Sequence, residues 1–136
     1  MTKEKTCRER WAKHKNGRIR DIRKLWKLYL AGDDEGDPEI GTLADYGLSF
    51  DYYQPEDGAA GYFVWLLSTG GPGDELRFYA SPDFRLIRAE YVFLDWYDGH
   101  ARPLSGRDAV LLSEIWREFF VESETARYVF EKATAR

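Results

Sequence analysis

YFVWLLSTGGPGDELRFYA, residues 62–80, reads as two strands folded back on each other, and it decides the fold. In YFVWLLST (62–69) both alternating faces are largely apolar, the pattern of a strand lying centrally in a sheet. GGPG (70–73) cannot continue a strand, because proline lacks a ladder donor and the glycines favour tight turns. ELRFYA (75–80) then alternates again, with Leu76, Phe78 and Ala80 on one side. Upstream, YGLSFDYY (46–53) sets Tyr46, Leu48, Phe50 and Tyr52 against Gly47, Ser49, Asp51 and Tyr53, a strand with one buried face. QPEDGAAG (54–61) is the intervening turn. Downstream, Ser81-Pro82-Asp83 closes the third strand. A long fourth strand follows, with Ile87, Ala89, Tyr91, Phe93 and Asp95 on one face and Arg88, Glu90, Val92, Leu94 and Trp96 on the other. Asp98-Gly99 is expected to end the sheet as a four-stranded meander.

Outside the sheet the period changes to that of a helix. From Arg18 to Ala31, Ile19, Ile22, Leu25, Trp26, Leu28, Tyr29 and Leu30 make one face apolar, while Arg20, Arg23, Lys24 and Lys27 make the other basic. Asn16-Gly17 breaks the pattern, so residues 6–15 are a separate basic turn or a frayed extension. Gly32 stops the helix, and DDEGDPE (33–39) reads as a solvated loop. Near the other end Ser105 and Asp108 approximate a capping box for a helix bearing Val110, Leu111, Leu112, Ile115, Trp116, Phe119 and Phe120. A break at Glu122-Ser123-Glu124 precedes a shorter helix with Tyr128, Val129 and Phe130. The expected class is α+β: a four-stranded antiparallel meander flanked by an N-terminal helix and a C-terminal helical segment. Residues 1–17 form a basic arm, and residues 18–136 a single domain.

At 136 residues and 43% hydrophobic composition, one core is expected. The single cysteine, Cys7, has no disulfide partner and suits a reducing, cytoplasmic setting. No apolar run reaches the length of a membrane span. The net charge of −4 conceals a segregation of sign: residues 1–28 carry +8 and the rest −12.

STGGPGDELRFY (68–79) and YVFLDWYDG (91–99) resemble stretches of small uncharacterised proteins carried by phages and other mobile elements, a likeness covering about residues 46–99. The resemblance implies a genomic setting and no chemistry; it favours accessory roles such as blocking host DNA-handling or defence complexes.

Four groups of residues are candidates for function. In the basic segment, Lys13, Lys15, Arg18, Arg20, Arg23, Lys24 and Lys27 could neutralise phosphates, and an exposed Trp11 could stack on a base. The competing reading is a solvated helix face that offsets the acidic body. GGPGDE (70–75) could turn backbone amides towards an anion, but it lacks the Lys-Ser/Thr ending of a phosphate loop and is explained by a hairpin turn. Asp95, Asp98 and His100 could ligate a metal or act as acid and base; alternatively Asp95 is a core carboxylate paired with Arg77, Arg88 or a helix N-terminus. The aromatic excess, notably Tyr53, Tyr62, Tyr79, Trp96 and Tyr97, could anchor a protein contact, unless a helix covers each face of the sheet and buries these rings. No nucleophile elbow, dinucleotide fingerprint or zinc spacing is present, and no cofactor or metal is expected. The leading expectation is a non-enzymatic protein-binding accessory protein acting through an acidic, aromatic-bearing surface. Its partner is an unidentified protein or a second copy in a homodimer. A nucleic-acid-binding protein using the basic segment is the alternative, followed by a small metal-dependent enzyme.

Overall fold

The computed structural model describes residues 6–135; the first five residues of the basic arm and Arg136 lie outside the described residues. The chain runs α1 (Cys7–Leu30), α2 (Leu43–Tyr46), β1 (Ser49–Tyr53), β2 (Tyr62–Ser68), β3 (Gly73–Ala80), β4 (Leu86–Asp95), β5 (Asp98–Pro103), α3 (Gly106–Ile115), a π-helical turn (Trp116–Val121) and α4 (Thr125–Thr134). The class is α+β, and the sheet is an antiparallel meander in the order β1-β2-β3-β4-β5. It therefore has five strands where the sequence pattern gave four. Asp98-Gly99 does not end the sheet; it opens β5, after a two-residue turn at Trp96-Tyr97. The segment DGHARP carries no hydrophobic alternation because an edge strand has one neighbour and little to bury, and Pro103 is tolerated at its end.

Helix α1 is longer than its apolar pattern announced. Thr6 caps it by accepting from the Glu9 amide, and it passes through Asn16-Gly17 without interruption. The extension is held by packing: Cys7 and Trp11 are buried beside Ile19, Ile22, Leu25 and Trp26. Its end is as expected, with Gly32 at φ +75° and the amides of Gly32 and Asp33 donating to the carbonyls of Tyr29 and Leu28. The acidic loop is not wholly solvated, since Asp37 is buried, accepts from the Glu39 and Ile40 amides and pairs with Lys24 at 2.7 Å. Ser105 stands at the N-cap of α3 without a side-chain capping bond, and the Asp108 carboxylate pairs with Lys15 and Arg23 on α1. The break before α4 falls at Glu124, in the left-handed conformation at φ +69°.

All the described helices lie on one side of the sheet. The indole N–H of Trp11 on α1 donates to the Tyr91 carbonyl at 2.7 Å, and His14 stacks on Phe93. Trp116 meets Phe63 and Phe78, Phe120 meets Phe50 and Trp65, and Phe130 of α4 meets Tyr52 and Phe63. The strand register places all these sheet residues on a single face: Phe50 opposite Trp65, Trp65 opposite Leu76, Leu76 opposite Tyr91. That face and the helices form the core, to which Leu43, Leu104, Leu112 and Ile115 add. The other face carries no helix among the described residues. None of the described helices is long and apolar enough to cross a membrane.

Candidate interaction surface

The helix-free face is built by the residues that alternate away from the core. Tyr53 pairs with Tyr62 across β1 and β2, and Tyr62 lies beside Tyr79 on β3, with ring centroids 5.4 and 5.3 Å apart. The three rings form a row across successive strands. Arg77 lies over the Tyr62 ring at 4.7 Å and Arg88 over the Tyr79 ring at 3.8 Å, so each guanidinium stacks on a π-face. Both arginines are also neutralised within the face, Arg77 by Glu75 at 2.7 Å and Arg88 by Glu90 at 2.9 Å. Val64 and Leu66 fill the neighbouring positions on β2, and Val92 is buried between its register partners Glu75 and Ala101. With those two pairs internally compensated, Asp51 on the edge strand, followed by Glu56 and Asp57 in the next turn, gives this end of the face an acidic margin.

Exposure grows along the aromatic row. Tyr62 and Tyr79 are half-buried under the arginines, burial pushing the Tyr62 phenol up, whereas Tyr53 at the edge is 51% exposed. At one end of the sheet Trp96, 83% exposed, and Tyr97 project from the β4–β5 turn. A Cβ at Gly71 would come within 3.0 Å of the Trp96 indole. Asp74 of the same GGPGDE segment points into the core side, not towards a ligand in the turn.

Asp74 is the centre of a polar network under α1. Its two oxygens accept from Arg18 Nε and Nη2 at 2.7 and 2.9 Å, from Ser68 at 2.6 Å and from the Tyr91 hydroxyl at 2.6 Å. Burial alone would raise its pKa, but the hydrogen bonds from Arg18, Ser68 and Tyr91 outweigh it and hold the carboxyl below its ordinary value. Arg18 also donates to the Tyr46 hydroxyl, which donates to Asp21; burial pushes the Tyr46 phenol up to about 12. Beside this network a groove of about 840 Å³ opens between Lys13, His14, Arg20, Ser68 and Pro72. Partial desolvation against Phe93 and the adjacent Arg10 cation lower the His14 pKa.

The seven basic residues of α1 from Lys13 to Lys27 divide into two sets. Lys15 and Arg23 share Asp108, at 2.8 and 3.3 Å; Arg18 is held by Asp74 and Lys24 by Asp37. These four are occupied in fastening α1 to the rest of the molecule. Lys13, Arg20 and Lys27 are exposed, stand seven residues apart along one side of α1, and are in no ion pair among the described residues. Trp11, expected as an exposed stacking ring, is instead 6% exposed and covered by the Lys15 and Arg102 cations.

Asp95, Asp98 and His100 occupy adjoining positions at the β4–β5 hairpin and brace the start of α1. Asp95 pairs with Arg10 at 2.6 Å, a partner from α1 and not from the neighbouring strands. Asp98 accepts from the Cys7 amide at 2.8 Å, a bond that holds its carboxyl below the ordinary range and places a negative charge at the positive end of the helix. His100 lies edge-on to Trp11, with its Nε2 buried and without a hydrogen-bond partner. Among the described residues no group of three or more His, Cys, Asp or Glu is placed to hold a metal ion. Burial and the Asp98 carboxylate push the Cys7 thiol up, away from the reactive thiolate.

Comparison with protein families, with curated proteins and with solved structures gives no match to this chain.

Proposed function

We propose that this chain is a non-enzymatic protein-binding module whose docking surface is the helix-free face of the sheet. The observation that carries the reading is the Tyr53–Tyr62–Tyr79 row, continuous across three strands and left uncovered by any described helix. Tyrosines fixed in a sheet bury much area on binding and lose little side-chain entropy, which makes them efficient anchors. Because Arg77 and Arg88 are compensated in place, the acidic margin at Asp51, Glu56 and Asp57 sets the charge preference. The partner is therefore a protein offering an apolar patch beside a basic rim. The resemblance of residues 68–79 and 91–99 to small phage and mobile-element proteins supports an accessory role of this kind.

Replacing Tyr53 and Tyr79 by serine removes the anchors and should abolish specific retention of the partner from source-cell extract. Reversing Asp51 and Asp57 to lysine should weaken capture and change its salt dependence. Unchanged capture in both variants would reject the reading, and a cross-linked pair of identical chains would replace the heterologous partner with a homodimer.

A second reading rests on the unpaired stripe of Lys13, Arg20 and Lys27. Three cations along one side of a helix can follow a phosphate backbone, although the acidic body restricts contact to that stripe. Each phosphate contact removed by alanine substitution would lower the slope of log affinity against log salt by about 0.9 on duplex DNA. Fluorescence anisotropy showing no affinity for labelled nucleic acid at low salt would dismiss it.

A further inference from the structure

The helix layer, across the sheet from the tyrosine row, carries a second surface of opposite character. Between α1 and α3 lies an open groove of about 640 Å³. Trp26 and Leu111, both buried, form its floor, while Leu30 and Val110, 58% and 59% exposed, form its walls. Arg23, Lys27 and Arg107 stand around it. Lys27 and Arg107 are in no ion pair among the described residues, and Arg23 shares Asp108 with Lys15. The one carboxylate that lines the groove among the described residues, Glu114, accepts from the Trp26 indole N–H at 3.3 Å. An apolar trough edged by cations on a chain of net charge −4 is a local reversal of the body's sign.

We propose that this groove is a docking site for an amphipathic helix of a partner protein, with an apolar stripe flanked by acidic residues. The trough between two helices suits the apolar stripe of a third, which would contact Leu30, Val110 and Trp26 through side chains three and four residues apart. The uncompensated cations select acidic flanks. They also disfavour a second copy of this chain, because a two-fold axis at the groove would bring Lys27 and Arg107 of one copy towards the same cations of the other. The site is independent of the sheet face and prefers a partner surface of the opposite sign.

The test uses the full chain and a fluorescein-labelled synthetic helix with leucines at three-and-four spacing and glutamates on the flanks. Two control peptides replace the glutamates by lysines or the leucines by serines. Saturable binding of the Glu/Leu peptide is expected, about tenfold weaker in Arg107→Glu and in Val110→Asp, with amide NMR shifts changing at Lys27, Leu30 and Val110. Both substituted side chains are exposed, and circular dichroism verifies that the variants fold. Tyr53→Ser and Tyr79→Ser should leave peptide affinity unchanged, which separates this site from the sheet face. The proposal is overturned by no binding of the Glu/Leu peptide, by equal binding of the lysine-flanked peptide, or by affinities that ignore both substitutions. Equal binding of the Glu/Ser peptide would also overturn it, by reducing the groove to a non-specific cationic patch.

Discussion

Arg18 on α1 and Asp74 on β3 face each other through two parallel hydrogen bonds of 2.7 and 2.9 Å, with the Tyr91 hydroxyl completing the carboxylate from β4. With the Ser68 hydroxyl donating from β2 as well, this bidentate geometry joins four elements through one acidic side chain. It also engages the Arg18 guanidinium within the fold, through Nε and Nη2 to Asp74 and through Nη1 to Tyr46. Asp74→Asn should leave the guanidinium partly buried without its counter-charge and cost about 2–4 kcal/mol, read as a lower urea midpoint with an unchanged m-value. A midpoint equal to that of the unsubstituted chain would show that the pair contributes nothing to stability.

Asp74 and a second, separately held carboxylate, Asp37, govern the acid response. Asp74 and Asp37 are both held below their ordinary carboxylate values, Asp37 at about 2 through its bond from Lys24 and the Ile40 and Glu39 amides. A carboxylate depressed in the folded state contributes stability in full above its unfolded pKa of about 4, and loses it as pH falls through the folded value. The urea midpoint should therefore be flat with respect to these two groups above about pH 5 and decline from about pH 4 towards about 2. Asp74→Asn should shallow that decline. A midpoint that rises on acidification would contradict the assignment.

The first turns of α1 are part of the core. Trp11→Ala removes a buried ring whose N–H satisfies the Tyr91 carbonyl, and a loss of about 3–5 kcal/mol is expected from the cavity and the orphaned acceptor. Deleting residues 1–17 would additionally remove Arg10 from Asp95 and Cys7 from Asp98, so the shortened chain should lose its cooperative thermal transition. Alanine at Lys13, Arg20 and Lys27 should change stability by about 0.5 kcal/mol or less each. Nucleic-acid contact is accordingly tested with those substitutions, not with the truncation.

Much of this architecture can be read from residue alternation. Phe50 and Tyr52, Phe63 and Trp65, Leu76 and Phe78, and Ala89, Tyr91 and Phe93 all fall on the core side in the alternation of their strands. The fifth strand carries no local signal because Gly99, His100, Ala101 and Arg102 present no apolar period at an edge that buries little. The continuity of α1 was hidden by Asn16-Gly17, whose local cost is overcome by the burial of Trp11 and Cys7. The placement of every helix on one side was not legible. YFVWLL is apolar on both faces, and its outward residues Tyr62, Val64 and Leu66 are sheltered by neighbouring side chains and arginine stems in place of a helix. Long-range ion pairs such as Arg10–Asp95 and Lys15–Asp108 depend on how α1 crosses the strands and α3, which no local spacing encodes.

The central claim, that the helix-free face is where a partner protein docks, is tested most directly by photo-cross-linking. A benzophenone side chain is placed in turn at positions 53, 79 and 128, and the chain is irradiated in source-cell extract; Tyr128 is an exposed residue on α4, in the helix layer. The expected result is a covalent adduct to the same protein from positions 53 and 79 and none to it from position 128. Adducts from position 128 alone, or none from either sheet position, would contradict the claim.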